Sequence, residues 1–289
     1  MALSALAFAS SSVAIKPLAS ELPAPQIIFV HFLTGILVLG PVLFLRGSGL
    51  RGNPTWVLVL RGLCGTFSFF LFLRALTLIP LSSTIVLFCA YPVFVVVFSW
   101  LLSKTTIEKK DLLLIFTGVM GATILINPGF HSFNLGYVYA LLSGSTEAMG
   151  IVIVAKARPT NNPFIIHLYF CATGGMLSLP FAQGFTMPDV EGGFLLAFSA
   201  LASLVGQVLM NQGLKFCKPT EGSLILMSEV VFVGAGGILI FKDPVTAHFL
   251  VGALLVMVSG VGLNLVHRNV RNDSERRNAQ PLAVKAREG

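Results

Sequence analysis

The sequence PQIIFVHF at residues 25–32 returns at residues 163–170 as PFIIHLYF, an offset of 138 positions that keeps Pro, Ile, Ile and Phe in register. The same offset pairs further identical residues along both halves: Leu39 with Leu177, Leu63 with Leu201, Leu71 with Leu209, Leu76 with Leu214, Val93-Phe94 with Val231-Phe232, and Lys104 with Lys242. Self-similarity at a fixed offset indicates that one structural unit occurs twice. The chain is therefore predicted to contain two copies of a unit of about 130 residues.

The composition indicates that lipid is the solvent of both copies. The 289 residues are 55% hydrophobic and 11% charged, and their mean hydropathy is +0.87. Such a balance is not that of a soluble domain. Residues 1–15 resemble the apolar core of a signal peptide, but no basic segment precedes them, so we interpret them as part of the first membrane span.

Apolar runs long enough to cross a bilayer, which takes about 20 residues, predict ten membrane helices. Turn signals such as Gly47-Ser48-Gly49 and Asn127-Pro128-Gly129 separate them. The predicted spans are 2–19, 25–45, 54–78, 82–102, 109–127, 135–155, 163–181, 192–214, 219–241 and 245–266. The predicted fold is thus an all-α integral membrane protein with repeats at 1–127 and 135–266 and a basic tail at 267–289.

Basic residues orient these spans, because cytoplasmic loops of membrane proteins are enriched in Lys and Arg. With a cytoplasmic N-terminus, fifteen basic residues fall on the cytoplasmic side: Arg46, Arg51, Lys104, Lys109, Lys110, Lys156, Arg158, Lys215, Lys218, Arg268, Arg271, Arg276, Arg277, Lys285 and Arg287. The opposite side receives only Lys16, Arg74 and Lys242. We therefore expect both termini in the cytoplasm, in a protein of the plasma membrane.

Five spans per copy make the two copies inverted with respect to each other. Inverted repeats that meet near the bilayer midplane are typical of secondary transporters. The basic tail could instead bind nucleic acid, but a segment that faces lipid headgroups is the simpler interpretation. The expected partners are the lipid bilayer and a small-molecule substrate, with no nucleic acid, and the sequence leaves a homodimer open.

The stretch LRGLCGTFSFFLFLRALTLIPLSSTIVLFCAYPVFVVVFSWLL, residues 60–102, resembles the third and fourth helices of the EamA family of the drug/metabolite transporter superfamily. The features shared with that family are Arg61-Gly62, Ala75-Leu76, Pro80 and Pro92-Val93-Phe94. The resemblance covers residues 2–266 and implies a ten-helix carrier with a central cavity between two halves. Its implied substrates are small metabolites such as amino acids, nucleobases, vitamins or nucleotide-like compounds.

One departure from this family concerns the ninth helix. Glu229 stands where the family often has Glu-Pro, but the next residue here is Val230. We therefore expect the ninth helix to lack a kink.

Two acidic residues, Glu147 and Glu229, fall in the middle of predicted spans. A charge there costs roughly 2.5 kcal/mol or more on insertion scales, so such a residue normally faces a cavity or a partner. Glu147 follows a polar patch that includes Ser143 and Thr146. One or both acids are predicted to bind a substrate amine or to carry a coupling proton. The alternative is a protonated glutamate that forms a hydrogen bond between helices.

Tyr91-Pro92 lies at the centre of the fourth span, at the position that the repeat offset assigns to Glu229-Val230. Pro92 removes one helical hydrogen bond and frees the carbonyl of Phe88. A bent helix at the midplane is a candidate gate or site wall, and a purely structural kink is the alternative.

Other polar residues within the spans receive less specific predictions. Gln207 and Asn211 share one helical face and could contact substrate. Arg74 is either a snorkelling residue or an anion contact in an outer vestibule, and Arg61 is interpreted as an interface anchor. His31 and His167 are expected to form hydrogen bonds between helices rather than to bind a metal.

A secondary transporter that works by alternating access, with proton coupling or exchange open, is the leading functional prediction. A membrane-embedded enzyme is disfavoured because no HExxH or other catalytic motif occurs. A passive channel or facilitator is the third class. We expect no catalytic residues, no cofactor and no metal.

Overall fold

The computed structural model describes residues 1–47, 49–103, 109–126, 134–181 and 185–241, together with 247–248, 250–252, 254–256 and 258–259. All regular structure in these ranges is helical, which confirms the all-α prediction. The α-helices are α1 Ala2–Glu21, α2 Ala24–Leu45, α3 Thr55–Leu76, α4 Leu81–Phe88, α5 Tyr91–Ser103, α6 Lys109–Ile126, α7 Leu135–Ala157, α8 Pro163–Ser178, α9 Val190–Gly213, α10 Pro219–Leu226 and α11 Glu229–Phe241. A short 3-10 helix, Leu179–Phe181, extends α8.

Seven helical segments in the described part of the chain are long and apolar enough to cross a membrane. They are α1, α2, α3, Ser83–Leu102 across α4 and α5, α7, Pro163–Phe181 and α9. The apolar part of α6, Leu112–Ile124, is shorter, and most of the predicted tenth span lies outside the described residues. The protein is thus a multi-pass membrane protein, while the count of ten remains a prediction.

Polar side chains mark where three helices begin. Asn134, Asn162 and Asp189 each precede a helix and accept a hydrogen bond from a backbone N–H of its first turn. Such caps satisfy donors that have no partner within the helix. At the C-terminal end of α2, Gly47 adopts a φ of 60°, the left-handed conformation that commonly terminates a helix.

Two of the predicted spans are broken near their centres. The fourth span divides into α4 and α5 immediately before Pro92, as the lost hydrogen bond predicts. The ninth span divides into α10 and α11 at Met227-Ser228, so the expectation of an unkinked ninth helix is wrong. Here the Ser228 hydroxyl donates to the Ile225 carbonyl at 2.7 Å, and the Ser228 N–H donates to the same carbonyl at 3.1 Å. This turn of i−3 hydrogen bonds ends α10 without a proline.

The helices pack in two corresponding pairs, α1 against α9 and α3 against α7. In the first pair the Ser4 hydroxyl donates to the Gly206 carbonyl at 2.7 Å. In the second pair the hydroxyls of Ser68 and Ser143 each donate to the other residue's carbonyl, at 2.9 and 2.8 Å. The sequence offset carries Ser68 onto Gly206 and Ser4 onto Leu142, the neighbour of Ser143, so the two helix pairs form similar contacts at matching positions.

Candidate functional site

A cavity lies among the central parts of α1, α2, α3, α7, α8 and α9 and the two helix breaks. Its volume is about 120 Å³, and roughly 10–15 Å³ on this scale holds one water molecule. Its lining is mostly apolar and includes the rings of Phe8, Phe32, Phe69, Phe72, Phe88 and Phe170. A mostly apolar cavity with a few convergent polar groups is the usual form of a small-molecule site.

Glu229 contributes a carboxylate to this cavity. It is the first residue of α11 and is only 5% exposed. The hydroxyl of Ser12 on α1 donates to its Oε1 at 3.1 Å. The broken ninth span therefore places an acid at the cavity wall, in contact with α1.

Glu147, the second mid-span acid, is paired with Arg61. Arg61 Nη2 lies 3.2 Å from Glu147 Oε1 and also donates to Gln207 Oε1 at 3.2 Å. The side chain of Arg61 is 1% exposed and that of Glu147 is 13% exposed. The interpretation of Arg61 as an interface anchor is wrong, because its charge is compensated inside the bundle.

Two glycines leave space for the Arg61 guanidinium, and an aromatic ring contacts it. A Cβ at Gly65 would contact Arg61 Nη1, and a Cβ at Gly150 would lie 2.8 Å from the same atom. The ring of Phe170 lies 4.7 Å from Arg61 Cζ and provides a cation–π contact. These glycines therefore explain how a large cation fits between tightly packed helices.

Tyr91 lines the cavity at the start of α5 and is 2% exposed. Its hydroxyl donates to the Ser223 carbonyl on α10 at 3.1 Å. This hydrogen bond connects the broken fourth span to the broken ninth span. Gly144 brings α7 close to the same place, since a Cβ there would lie 2.5 Å from the Phe88 carbonyl oxygen.

The structure brings Glu147, Glu229, Tyr91 and Gln207 together around the cavity. The other predicted site residues lie outside its lining. Ser143 contacts Ser68, Thr146 donates to carbonyls of its own helix, and Asn211 donates to the Pro163 carbonyl. Pro92 is buried beside the break, and Arg74 is exposed at the end of α3.

Both histidines line the cavity. The expectation that they form hydrogen bonds between helices is wrong. His31 Nδ1 is 2.9 Å from the carbonyl of Ile27, and His167 Nε2 is 3.5 Å from Cys171 Sγ. Each contact is within the residue's own helix, because both partners are four positions away. His31 Nε2 and His167 Nδ1 are buried without a hydrogen-bond partner among the described residues.

Sequence reasoning missed Ser12 and most of the aromatic wall. Ser12 belongs to the run Ser10-Ser11-Ser12 within the first span, which is the signal that could have indicated a polar helix face. Of the neighbouring phenylalanines on α3, Phe69 and Phe72 line the cavity, whereas Phe67 and Phe70 are exposed on the outer surface.

Comparison with known proteins agrees with this architecture. The EamA-like transporter family matches residues 1–127 and again residues 134–265. The pseudopaline exporter CntI of Pseudomonas aeruginosa is 25% identical over 91% of this chain and 93% of its own length. The S-adenosylmethionine uptake transporter of Rickettsia felis is 22% identical over 88% of this chain and 87% of its own.

Two further similarities extend these matches. Solute carrier family 35 member G1 of Homo sapiens is 23% identical over 90% of this chain and 76% of its own length. A crystal structure superposes with a TM-score of 0.74 at 16% identity, covering 93% of this chain and 98% of that chain. This last likeness concerns the fold alone.

Proposed function

This chain belongs to the EamA-like transporter family and transports small metabolites, and we propose that it does so by alternating access at the central cavity. The observation that carries the proposal is the position of the cavity at the two helix breaks. Phe88 and Tyr91 line it from the break between α4 and α5, and Leu226 and Glu229 line it from the break between α10 and α11. Broken helices at the midplane are where secondary transporters hold their substrates.

The proposed architecture is ten membrane helices in two inverted five-helix repeats, 1–127 and 135–266, with a cytoplasmic tail at 267–289. The matched contacts α1–α9 and α3–α7 support it, as does a break in the corresponding span of each copy. The separate family matches to both halves point the same way. The strong bias of basic residues supports cytoplasmic termini, and the proposed host is the plasma membrane.

Alternating access requires one half of the protein to move against the other, and several polar contacts join the two halves. Arg61 belongs to the first copy, whereas Glu147 and Gln207 belong to the second. Tyr91 and Ser223 form a second contact across the copies, and Ser12 with Glu229 forms a third. Movement of one half against the other must change these contacts, which therefore set the relative stability of the two access states.

The proposal is tested by counterflow in proteoliposomes that contain the purified protein and a panel of amino acids, nucleobases, vitamins and nucleotides. We expect saturable uptake of at least one solute that is accelerated by the same solute inside. A channel would not show this acceleration, and an enzyme would return a chemically changed product.

A matched pair of variants links the uptake to the cavity. Ala200 lines the cavity and is 1% exposed, whereas the next residue, Leu201, is 47% exposed on the outer surface. Ala200→Trp is expected to abolish uptake and Leu201→Trp to retain it, with both variants monodisperse in detergent. Uptake by Ala200→Trp at the wild-type rate would contradict the proposal.

A further inference from the structure

The charged groups around the cavity are unequally compensated. Glu147 already has a cationic partner, because Arg61 lies 3.2 Å away and is enclosed by the bundle. For Glu229, the described residues place no cationic side chain within ion-pair distance, and its hydrogen-bond donor is the neutral hydroxyl of Ser12. With all three groups ionised, the set carries one net negative charge, and that charge lies at Glu229.

The local backbone supports the charged form of this carboxylate. Glu229 begins α11, where the helix dipole favours a negative charge; the N–H groups of Val230, Val231 and Phe232 themselves donate to the Met227 and Ser228 carbonyls. The side chain is 5% exposed yet contributes to the cavity lining. A buried carboxylate without a counter-cation is costly, so binding a cation beside it is favourable.

Three donors near the cavity are already used, whereas His31 Nε2 and His167 Nδ1 have no hydrogen-bond partner among the described residues and stay open to a solute. The Ser12 hydroxyl donates to Glu229, and the Tyr91 hydroxyl donates to the Ser223 carbonyl, so neither is available to a negatively charged solute. The Arg61 guanidinium is enclosed by Gly65, Gly150 and Phe170 and is 1% exposed. It therefore compensates Glu147 rather than a solute carboxylate in this conformation.

The aromatic wall complements the carboxylate. Phe8, Phe72 and Phe88 are among the rings that line the same cavity as Glu229. The faces of aromatic rings attract cationic nitrogen, and they pack well against an apolar or aromatic solute body.

From this charge balance and this lining we infer that the site takes organic monocations, with the cationic nitrogen at Glu229 and the apolar body against the phenylalanine rings. The inference rests on the proposed function, because it assumes that the cavity is the transport site. It separates the two mid-span acids: Glu229 binds the charge of the solute, and Glu147 holds the Arg61 contact between the repeats.

The test uses trimethylphenylammonium, whose charge is permanent, and benzenesulfonate, an anion with the same ring. Binding to the purified full-length protein is measured by calorimetry and by thermal stabilisation. We expect the wild type to bind the cation and to be unaffected by the anion. Glu229→Gln is expected to weaken cation binding by about tenfold or more, whereas Glu191→Gln, the same change at an exposed position of α9, is expected to leave it unaltered.

Three results would overturn the inference: equal affinity for the anion, unchanged cation affinity in Glu229→Gln, or no binding of the cation to the wild type. Should Glu229→Gln fail to fold, tert-butylbenzene replaces the variant, because it is the uncharged isostere of the cation and is expected to bind the wild type about tenfold more weakly or worse.

Counterflow distinguishes a failure of this inference from a failure of the proposed function. If a panel solute is carried by a route that Ala200→Trp blocks and the cation does not compete, the inference fails and the carrier stands. If the cation binds through Glu229 but no solute is carried, the proposed function fails.

Discussion

The contact between Arg61 and Glu147 gives the sharpest energetic prediction. Glu147→Gln would leave the guanidinium, 1% exposed, without an anionic partner, so that only amide oxygens and the Phe170 ring face its charge. Removing one member of a buried ion pair costs about 3–5 kcal/mol, and we expect about 3 kcal/mol because Glu147 itself is 13% exposed to the cavity. Arg61→Gln should cost less, about 2 kcal/mol, since the remaining carboxylate can reach water in the cavity.

The double variant removes both charges and should cost only about 1–2 kcal/mol, which corresponds to a coupling energy of roughly 3–4 kcal/mol. The assay is the free energy of unfolding of each variant in mixed micelles, titrated with a denaturing detergent. Arg74→Gln is the control, because Arg74 is exposed and its loss should change stability by less than about 0.5 kcal/mol. A coupling energy below about 0.5 kcal/mol, the value of an exposed pair, would show that the buried pair does not form.

Three further predictions use the same stability and counterflow assays. Gly65→Ala should destabilise the protein by about 1–3 kcal/mol because its Cβ would overlap the buried guanidinium. Gly193→Ala, whose Cβ would lie 4.0 Å from Pro188 Cγ, should instead gain roughly 0.5–1 kcal/mol of helix stability; equal effects would refute the packing argument. Tyr91→Phe should cost about 1 kcal/mol through the lost hydrogen bond to Ser223 and alter the counterflow rate, and unchanged values in both assays would contradict a role for this contact. Pro92→Ala should keep at least about a fifth of the wild-type counterflow rate, because restoring one helical hydrogen bond is worth only about 1 kcal/mol and the corresponding span breaks at Met227-Ser228 without proline; complete loss would show that the proline itself is required.

The helices were predictable because hydropathy can be read directly from the sequence. The 138-residue offset indicated two similar halves, and the family matches each half separately. The mid-span positions of Glu147 and Glu229 were equally visible, since a charge within an apolar run must have a reason. Both acids do line the cavity.

The pairing of these acids was not predictable. Arg61 stands near the predicted end of a span, where snorkelling is the simplest interpretation, and only the packing of α3 against α7 shows that it reaches Glu147. The break at Met227-Ser228 was missed for a related reason. It depends on hydrogen bonds of Ser228 to the Ile225 carbonyl, and a serine within a helix does not by itself predict a break.

The central claim, that one cavity opens in turn to the two sides of the membrane, is tested most directly by the accessibility of Ser203. This residue lines the cavity from α9 and is half-buried, whereas Val205 on the same helix is 47% exposed on the outer surface. Ser203→Cys and Val205→Cys are made in a chain whose four native cysteines are replaced and that still transports. A membrane-impermeant thiol reagent is then applied from each side. The account predicts that Ser203→Cys is labelled from both sides, that transported solute slows the labelling, and that Val205→Cys is labelled from neither. Labelling of Ser203→Cys from one side only, in a chain that transports, would contradict it.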